Sequence, residues 1–149
     1  GKQIADTEDH YIYLSRDKIK DRRKTDIIKN INYIKDSDFL DEIKLIKIWR
    51  NIYKLDFPSV YIEYLIMDIM RKQDYYNLSS NLRHIFEELS ISNEVNPLYR
   101  RLEDISNSNN VISDILDSEE KKEIQSQFSS QMHLSCWRDV FRNNKSLYF

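Results

Sequence analysis

The chain has 149 residues, of which 40% are hydrophobic and 32% are charged. This length and composition are typical of one globular domain and exclude an intrinsically disordered chain. The 23 basic and 25 acidic side chains leave a net charge of −2, so the overall charge does not indicate a nucleic-acid activator, and any anion site must be local. The one glycine, Gly1, excludes phosphate-binding P-loops, Rossmann fingerprints and nucleophile elbows, because all of them need glycine.

The chain has few residues that interrupt helices, and it has no sequence signal for secretion or membrane insertion. The two prolines, Pro58 and Pro97, leave long stretches free to form helices. The single cysteine, Cys136, fits a reducing compartment. The longest apolar run, residues 60–70, is too short to span a bilayer, and no signal peptide is visible. We therefore expect a cytoplasmic protein without membrane contact, and the missing initiator methionine predicts a chain that begins inside a longer protein or after a trimmed tag.

Apolar residues at helical spacing predict most of the secondary structure. A weakly periodic segment comes first, and Thr25 and Asp26 have the composition of a cap for the second helix. Pro58 lies near the start of the most apolar helix, and Ser79 or Ser80 is a plausible cap for the next one. The predicted helices comprise about residues 7–19, 25–34, 39–55, 58–71, 79–89 and 118–141.

Residues 90–112 are rich in serine, asparagine and aspartate, and they predict a long ordered polar loop with one helical turn near residues 98–102. No alternating pattern of useful length predicts a strand. The predicted fold is therefore all-α, a compact bundle of about five to six helices that forms a single domain over residues 1–149, with additional N-terminal helices in residues 1–36. Trp49 lies on the apolar stripe of its helix and is expected to pack against residues 60–70.

Two short patterns could indicate metal or nucleophile chemistry. His133 and Cys136 are one helical turn apart, but no second pair completes a zinc site, so an exposed histidine and a buried thiol are the better interpretation. Asp36 and Asp38 have the spacing of a two-metal carboxylate pair, but they lie where a helix cap belongs. We assign neither a catalytic nor a metal-binding residue to this chain.

Two acids, Glu63 and Asp68, interrupt the apolar run that begins at residue 60. A carboxylate in a largely buried helix needs partners. The sequence therefore predicts that each acid pairs with a lysine or arginine in a structural role.

A basic face precedes the central helix. Lys44, Lys47 and Arg50 follow one another at intervals of one helical turn, so their side chains share a side. Ser59 opens the next helix, where free backbone donors and the helix dipole favour an anion. Two antiparallel helices would bring Lys47 and Ser59 together as a phosphate cradle, whereas the alternative is an ordinary solvated basic face.

These segments together resemble a known family. Residues 44–50 (KLIKIWR) and 57–65 (FPSVYIEYL), followed by 104–111 (DISNSNNV) and 118–124 (SEEKKEI), are similar in order and spacing to the helical half of cGAS-like and oligoadenylate-synthetase-like nucleotidyltransferases. The resemblance covers roughly residues 39–142. The family's mixed palm lies N-terminal to this half and needs a Gly-Ser motif, so the resemblance implies that the catalytic palm is absent from this chain.

The resemblance implies roles for individual residues. Lys47 and Ser59 match the lysine and serine that contact the nucleotide triphosphate in that family. Several relatives have an aromatic residue directly after the serine, for stacking on the base. Val60 stands at that position here, so the base contact would fall to Tyr61 or Tyr64.

The polar loop carries the remaining implied contact. Asn109 and Asn110 match the asparagine end of the family's Asp-Pro-x-x-x-x-Asn-Val loop, although Ile105 replaces its proline. The resemblance implies a helical domain that contacts nucleoside triphosphates opposite a separate N-terminal palm, in an enzyme that makes linear or cyclic oligonucleotides. The complete enzyme would use Mg²⁺ and NTP, while this chain alone would bind no cofactor and be inactive. The alternative is a stand-alone helical protein-interaction module with no nucleotide role.

Overall fold

Helices form most of the regular structure in a computed structural model that describes residues 11–16, 19–35, 37–71 and 77–142, with side chains from residue 28 onward. Two short 3-10 turns, Pro97–Tyr99 and Ile112–Ile115, accompany the longer elements. The predicted all-α class is confirmed. In chain order the elements are β1 (Tyr11–Arg16), β2 (Ile19–Asp26), α1 (Ile27–Lys35), α2 (Leu40–Ile52), α3 (Ser59–Met70), α4 (Leu78–Leu89), β3 (Glu103–Asp104), β4 (Asn107–Val111), α5 (Ser118–Gln131) and α6 (Trp137–Val140).

The core is built around α3, as its sequence predicts. Most of its side chains are buried, because the helix is apolar on nearly every side and packs on α2 and α4. Pro58 occupies the N-cap position of α3, where its missing N–H leaves no backbone donor unsatisfied. The apolar stripe of α2, represented by Ile43 and Ile46, is fully buried against this centre.

Trp49 is buried, as expected, but its aromatic neighbours all lie outside α3. Its ring stacks on Phe128 of α5 with the centroids 4.0 Å apart. It also meets Phe86 of α4 edge-on at 5.5 Å and Tyr53 at 5.5 Å. This aromatic group joins α2, α4 and α5 into one core.

The helix starts agree only partly with the sequence. Asn77 caps α4 by accepting a hydrogen bond from the N–H of Ser80 (2.9 Å), so the predicted caps Ser79 and Ser80 were wrong. Asp117 and Glu120 form a reciprocal capping box at the start of α5, close to the predicted beginning.

The start of α2 also differs from its prediction. Phe39 takes the N-cap position, one residue beyond Asp38. Its N–H donates to Oγ of Ser37 at 3.4 Å, and the Ser37 hydroxyl donates in turn to the carbonyl of Ile34 (2.7 Å). Asp36, the other acid of the predicted pair, lies outside the described residues.

The N-terminal prediction was wrong. Strands β1 and β2 form an antiparallel hairpin, with Tyr11 opposite Asp26 and Arg16 opposite Ile19. The predicted first helix, residues 7–19, overlaps β1, and its first four residues lie outside the described structure. The second predicted helix exists as α1, but Thr25 and Asp26 are the last residues of β2.

The polar segment 90–112 is more ordered than a loop. It contains the 3-10 turn at Pro97–Tyr99 and the β3–β4 hairpin, which was not predicted. Asn96 is fully buried and organises the turn: its side-chain N–H groups donate to the carbonyls of Leu89 and Ile91 (2.9 and 2.8 Å), and its oxygen accepts from the N–H of Leu98 (2.9 Å).

The last predicted helix is divided in two. The helix α5 ends at Gln131, and α6 begins only at Trp137. The hydroxyl of Tyr53, which follows α2, donates to the carbonyl of Val140 (2.6 Å) and lies 3.0 Å from Oε1 of Gln131. This hydroxyl thus connects the end of α5 to the end of α6, where Val140 is buried.

Within the residues that the structure describes, every helix is too short or too polar to cross a lipid bilayer.

Candidate anion-binding site

The predicted basic residues gather on the shared edge of α2 and α3. Lys47 contacts Glu63, whereas Arg50, three residues later on α2, contacts Ser59, four residues earlier on α3. Since the partner number falls as the residue number rises, the two helices run antiparallel here. The edge formed by Lys47, Arg50, Ser59 and Glu63 is called the basic edge below.

Arg50 connects the two helices at the end of the basic edge where α2 ends and α3 begins. Its Nη1 donates to the carbonyl of Phe57 (2.8 Å) and to Oγ of Ser59 (2.9 Å), while its Nε donates to Oδ1 of Asn51 (2.9 Å). Burial lowers the pKa of Arg50, and the negative charge of Glu63 opposes that shift. The three hydrogen bonds hold the guanidinium, and with it a positive charge, beside the first residue of α3.

Lys47 occupies the other end of the basic edge. Its Nζ lies 2.6 Å from Oε2 of Glu63, and the two side chains are 29% and 22% exposed. The structure therefore brings Arg50, rather than Lys47, to Ser59. Lys44, one turn earlier, is exposed to solvent.

Ser59 lies at the first residue of α3, and its side chain is exposed. The N–H groups in the first turn of a helix have no carbonyl partner within it, and the helix dipole places partial positive charge there. The helical hydrogen bonds of α3 begin at Ile62, whose N–H donates to the carbonyl of Pro58 (3.0 Å). The arrangement joins a guanidinium, a hydroxyl and a helix start, which are groups that bind phosphate oxygens.

Neither tyrosine that the resemblance implied as a base contact presents a free ring. Tyr61 is 0% exposed, its hydroxyl donates to the carbonyl of Leu98 (2.7 Å), and its ring meets that of Phe57 at 5.8 Å. Tyr64 is also buried, and Tyr33 covers it at 5.6 Å between centroids. Burial raises the pKa of both phenols, so both stay neutral. Both rings form part of the core in this structure.

Asn109 and Asn110 differ in exposure. Asn109 faces solvent on β4, whereas Asn110 is buried and donates to Oδ2 of Asp104 at 3.3 Å. The buried Asp104 also accepts hydrogen bonds from the N–H and the hydroxyl of Ser106, at 2.8 and 2.6 Å. Asn110 thus belongs to an internal network, and only Asn109 is available to a ligand.

This internal network also reaches α3. The hydroxyl of Tyr64 hydrogen-bonds to the side chain of Asn30 and accepts from the N–H of Ile105 (2.7 Å). Asn30 donates to Oδ1 of Asp104 at 3.3 Å. The network therefore connects α1, α3 and the β3–β4 hairpin.

The two acids of α3 have the predicted structural pairing. Asp68 is buried and accepts from Arg71 and Arg100, each at 2.8 Å. Glu63 pairs with Lys47. The expectation that lysine or arginine would pair with each carboxylate is confirmed.

His133 and Cys136 do not share a helix, because both lie in the segment between α5 and α6. Both are exposed, so the predicted burial of the thiol was wrong. The Cys136 thiol donates to Oδ2 of Asp139 at 3.2 Å. Across the described ranges, no three histidine, cysteine, aspartate or glutamate side chains converge to hold a metal ion.

The sequence did not reveal the specific pairing on the basic edge. The sequence predicted Lys47, and not Arg50, as the cation beside Ser59, and it assigned Glu63 a lysine or arginine partner without choosing one. The short connector between the helices could have indicated the pairing. Only six residues separate α2 from α3, so the end of the first helix lies beside the start of the second. That geometry selects Arg50 for Ser59 and leaves Lys47 for Glu63.

No protein-family model, curated protein or solved structure matches this chain.

Proposed function

We propose that this chain is a nucleotide-binding helical domain of a nucleotidyltransferase that makes linear or cyclic oligonucleotides from nucleoside triphosphates. In this proposal its basic edge contacts the triphosphate opposite a separate N-terminal palm. The palm would supply the Gly-Ser motif and the carboxylates for Mg²⁺. Mg²⁺ would offset phosphate charge in the complete enzyme.

The observation that carries the proposal is the position of Arg50 beside the start of α3. Its guanidinium lies 2.9 Å from Oγ of Ser59, and Lys47 lies one turn away on the same helix face. Two cations, a hydroxyl and first-turn backbone donors thus line one partly exposed edge. A triphosphate, which carries several negative charges and acceptor oxygens, matches that set better than a neutral ligand does.

The proposal is tested by titrating the chain with ATP, GTP, CTP and UTP at fixed salt, with and without Mg²⁺, and following binding by calorimetry. Arg50→Ala is expected to weaken binding by about 1.5–3 kcal/mol, the range for a hydrogen bond to a charged group. Lys47→Ala is expected to fall in the same range, and Ser59→Ala should cost less because it removes a neutral group. Lys44→Ala is the matched control and should change binding little, because Lys44 is a solvated cation one turn outside the edge.

The ranking of these variants decides the outcome. Equal small effects at Lys44, Lys47 and Arg50 would mean that the face is only a solvated surface. Failure of the chain to bind any of the four nucleotides would also contradict the proposal and would favour the helical interaction module.

A further inference from the structure

The basic edge contains one group that opposes anion binding, the carboxylate of Glu63. It lies on α3 four residues after Ser59, so both side chains are on the same face of that helix. Its Oε2 is 2.6 Å from Nζ of Lys47. A ligand phosphate approaching Lys47 therefore meets a negative charge already in place.

The charge of Glu63 also affects the second cation. Its negative charge raises the pKa of Arg50 against the effect of burial, so its field extends along the edge. With Glu63 ionised, the two cations Lys47 and Arg50 and the one carboxylate leave a net charge of +1; without it the net charge would be +2. The carboxylate thus removes half of the positive charge that would attract a polyanion.

The exposure of the pair makes it displaceable. Lys47 and Glu63 are 29% and 22% exposed, so water and salt reach the pair and its contribution to stability is small. Hydrogen bonds from cations to phosphate oxygens are charge-assisted, as the Lys47–Glu63 pair is, but a triphosphate carries more negative charge than a single carboxylate. A polyanion can therefore replace Glu63 at Lys47 without unfolding the helices.

We propose that Glu63 is an internal counter-ion of the basic edge. Its carboxylate pairs with Lys47 until a polyphosphate takes the place of Glu63. This competition sets the affinity of the site for anions and the number of negative charges that a ligand needs in order to bind. This inference rests on the proposed function for its choice of ligand. Ligands with one phosphate compete poorly with Glu63, whereas a triphosphate carries enough charge to release Lys47.

The test uses inorganic triphosphate as the probe and the full chain at fixed salt without Mg²⁺. Glu63→Gln preserves the size of the side chain and removes its charge. We expect its affinity for triphosphate to rise about tenfold, because one like charge near the ligand is removed. In a Lys47→Gln background the same change should raise affinity less than about threefold. Glu123→Gln, an exposed position on α5, is the control for the change in net charge.

Folding is checked first by urea denaturation of each variant. Glu63→Ala is the second variant if the glutamine protein is unstable, since alanine favours the helix and also lacks the carboxylate. An unchanged or weaker affinity in both Glu63 variants would overturn the counter-ion role. Equal gains with and without Lys47 would also overturn it, because Glu63 would then act only as a general negative charge.

The two proposals fail in different ways. If Glu63→Gln gains triphosphate affinity through Lys47 while no nucleoside triphosphate binds, the counter-ion role holds and the proposed function falls. If nucleotides bind through Arg50 and Glu63→Gln brings no gain, the function stands and the counter-ion role falls. If neither inorganic triphosphate nor any nucleoside triphosphate binds to any variant, both proposals are overturned.

Discussion

Replacing Trp49 by alanine measures how strongly the aromatic core joins α2 to α4 and α5. The side chain is 0% exposed and stacks on Phe128 at 4.0 Å. Deleting a buried tryptophan costs about 3–5 kcal/mol through lost burial and the remaining cavity. The indole Nε1 has no hydrogen-bond partner in the described structure, so removing the ring also removes a desolvation cost. We therefore expect the lower part of that range, about 3–4 kcal/mol.

The assay is urea unfolding of wild type and Trp49→Ala, followed by far-ultraviolet circular dichroism. Trp49→Phe is the matched variant: it keeps an aromatic ring for Phe128 and Phe86 and loses the unpartnered N–H, so its cost should be less than half that of alanine. A loss below about 1 kcal/mol for Trp49→Ala would refute the reasoning, because it is the size expected of a surface substitution. A changed slope against urea would point instead to an altered unfolded state.

Two further predictions concern α5 and the alkaline limit of the fold. Asp117→Ala removes the oxygen that accepts from the N–H of Glu120 (2.8 Å), so it should lower the free energy of unfolding, measured in urea, by about 1 kcal/mol. The control is Ser118→Ala at the exposed neighbouring residue, which should lower it much less. Burial raises the pKa of Tyr61 above its ordinary 10.0, so its contribution to stability is intact below pH 10 and is lost as the pH rises towards the folded pKa. Tyr61→Phe should therefore cost about 1 kcal/mol near neutral pH, and that deficit should shrink at about pH 11. A deficit that is equal at both pH values would contradict the alkaline prediction.

The sequence by itself determined the elements whose signals are local. The apolar stripe of α2 follows from its helical spacing, and the central position of α3 follows from its apolar residues on nearly every side. The start of α5 was also predicted from the sequence, because the acids that mark its first turn are neighbours in the chain. The pairing of Asp68 with cations followed from the cost of burying an isolated carboxylate, and Glu63 also has the predicted basic partner although its side chain is 22% exposed.

The tertiary structure alone decided the features that depend on a partner outside the element itself. The first strand carries too short an apolar run to distinguish strand from helix, and only its partner β2 supplies the missing hydrogen bonds.

The division between α5 and α6 has a related cause. Apolar residues every four positions drift by about 40° per step around a helix of 3.6 residues per turn, so a stripe from Ile124 to Val140 cannot stay on one face. The chain leaves the helix after Gln131, and the hydroxyl of Tyr53 donates to the carbonyl of Val140, which is buried in the core. Which cation meets Ser59 was settled in the same way, because the antiparallel approach of α2 and α3 sets the distances between their side chains.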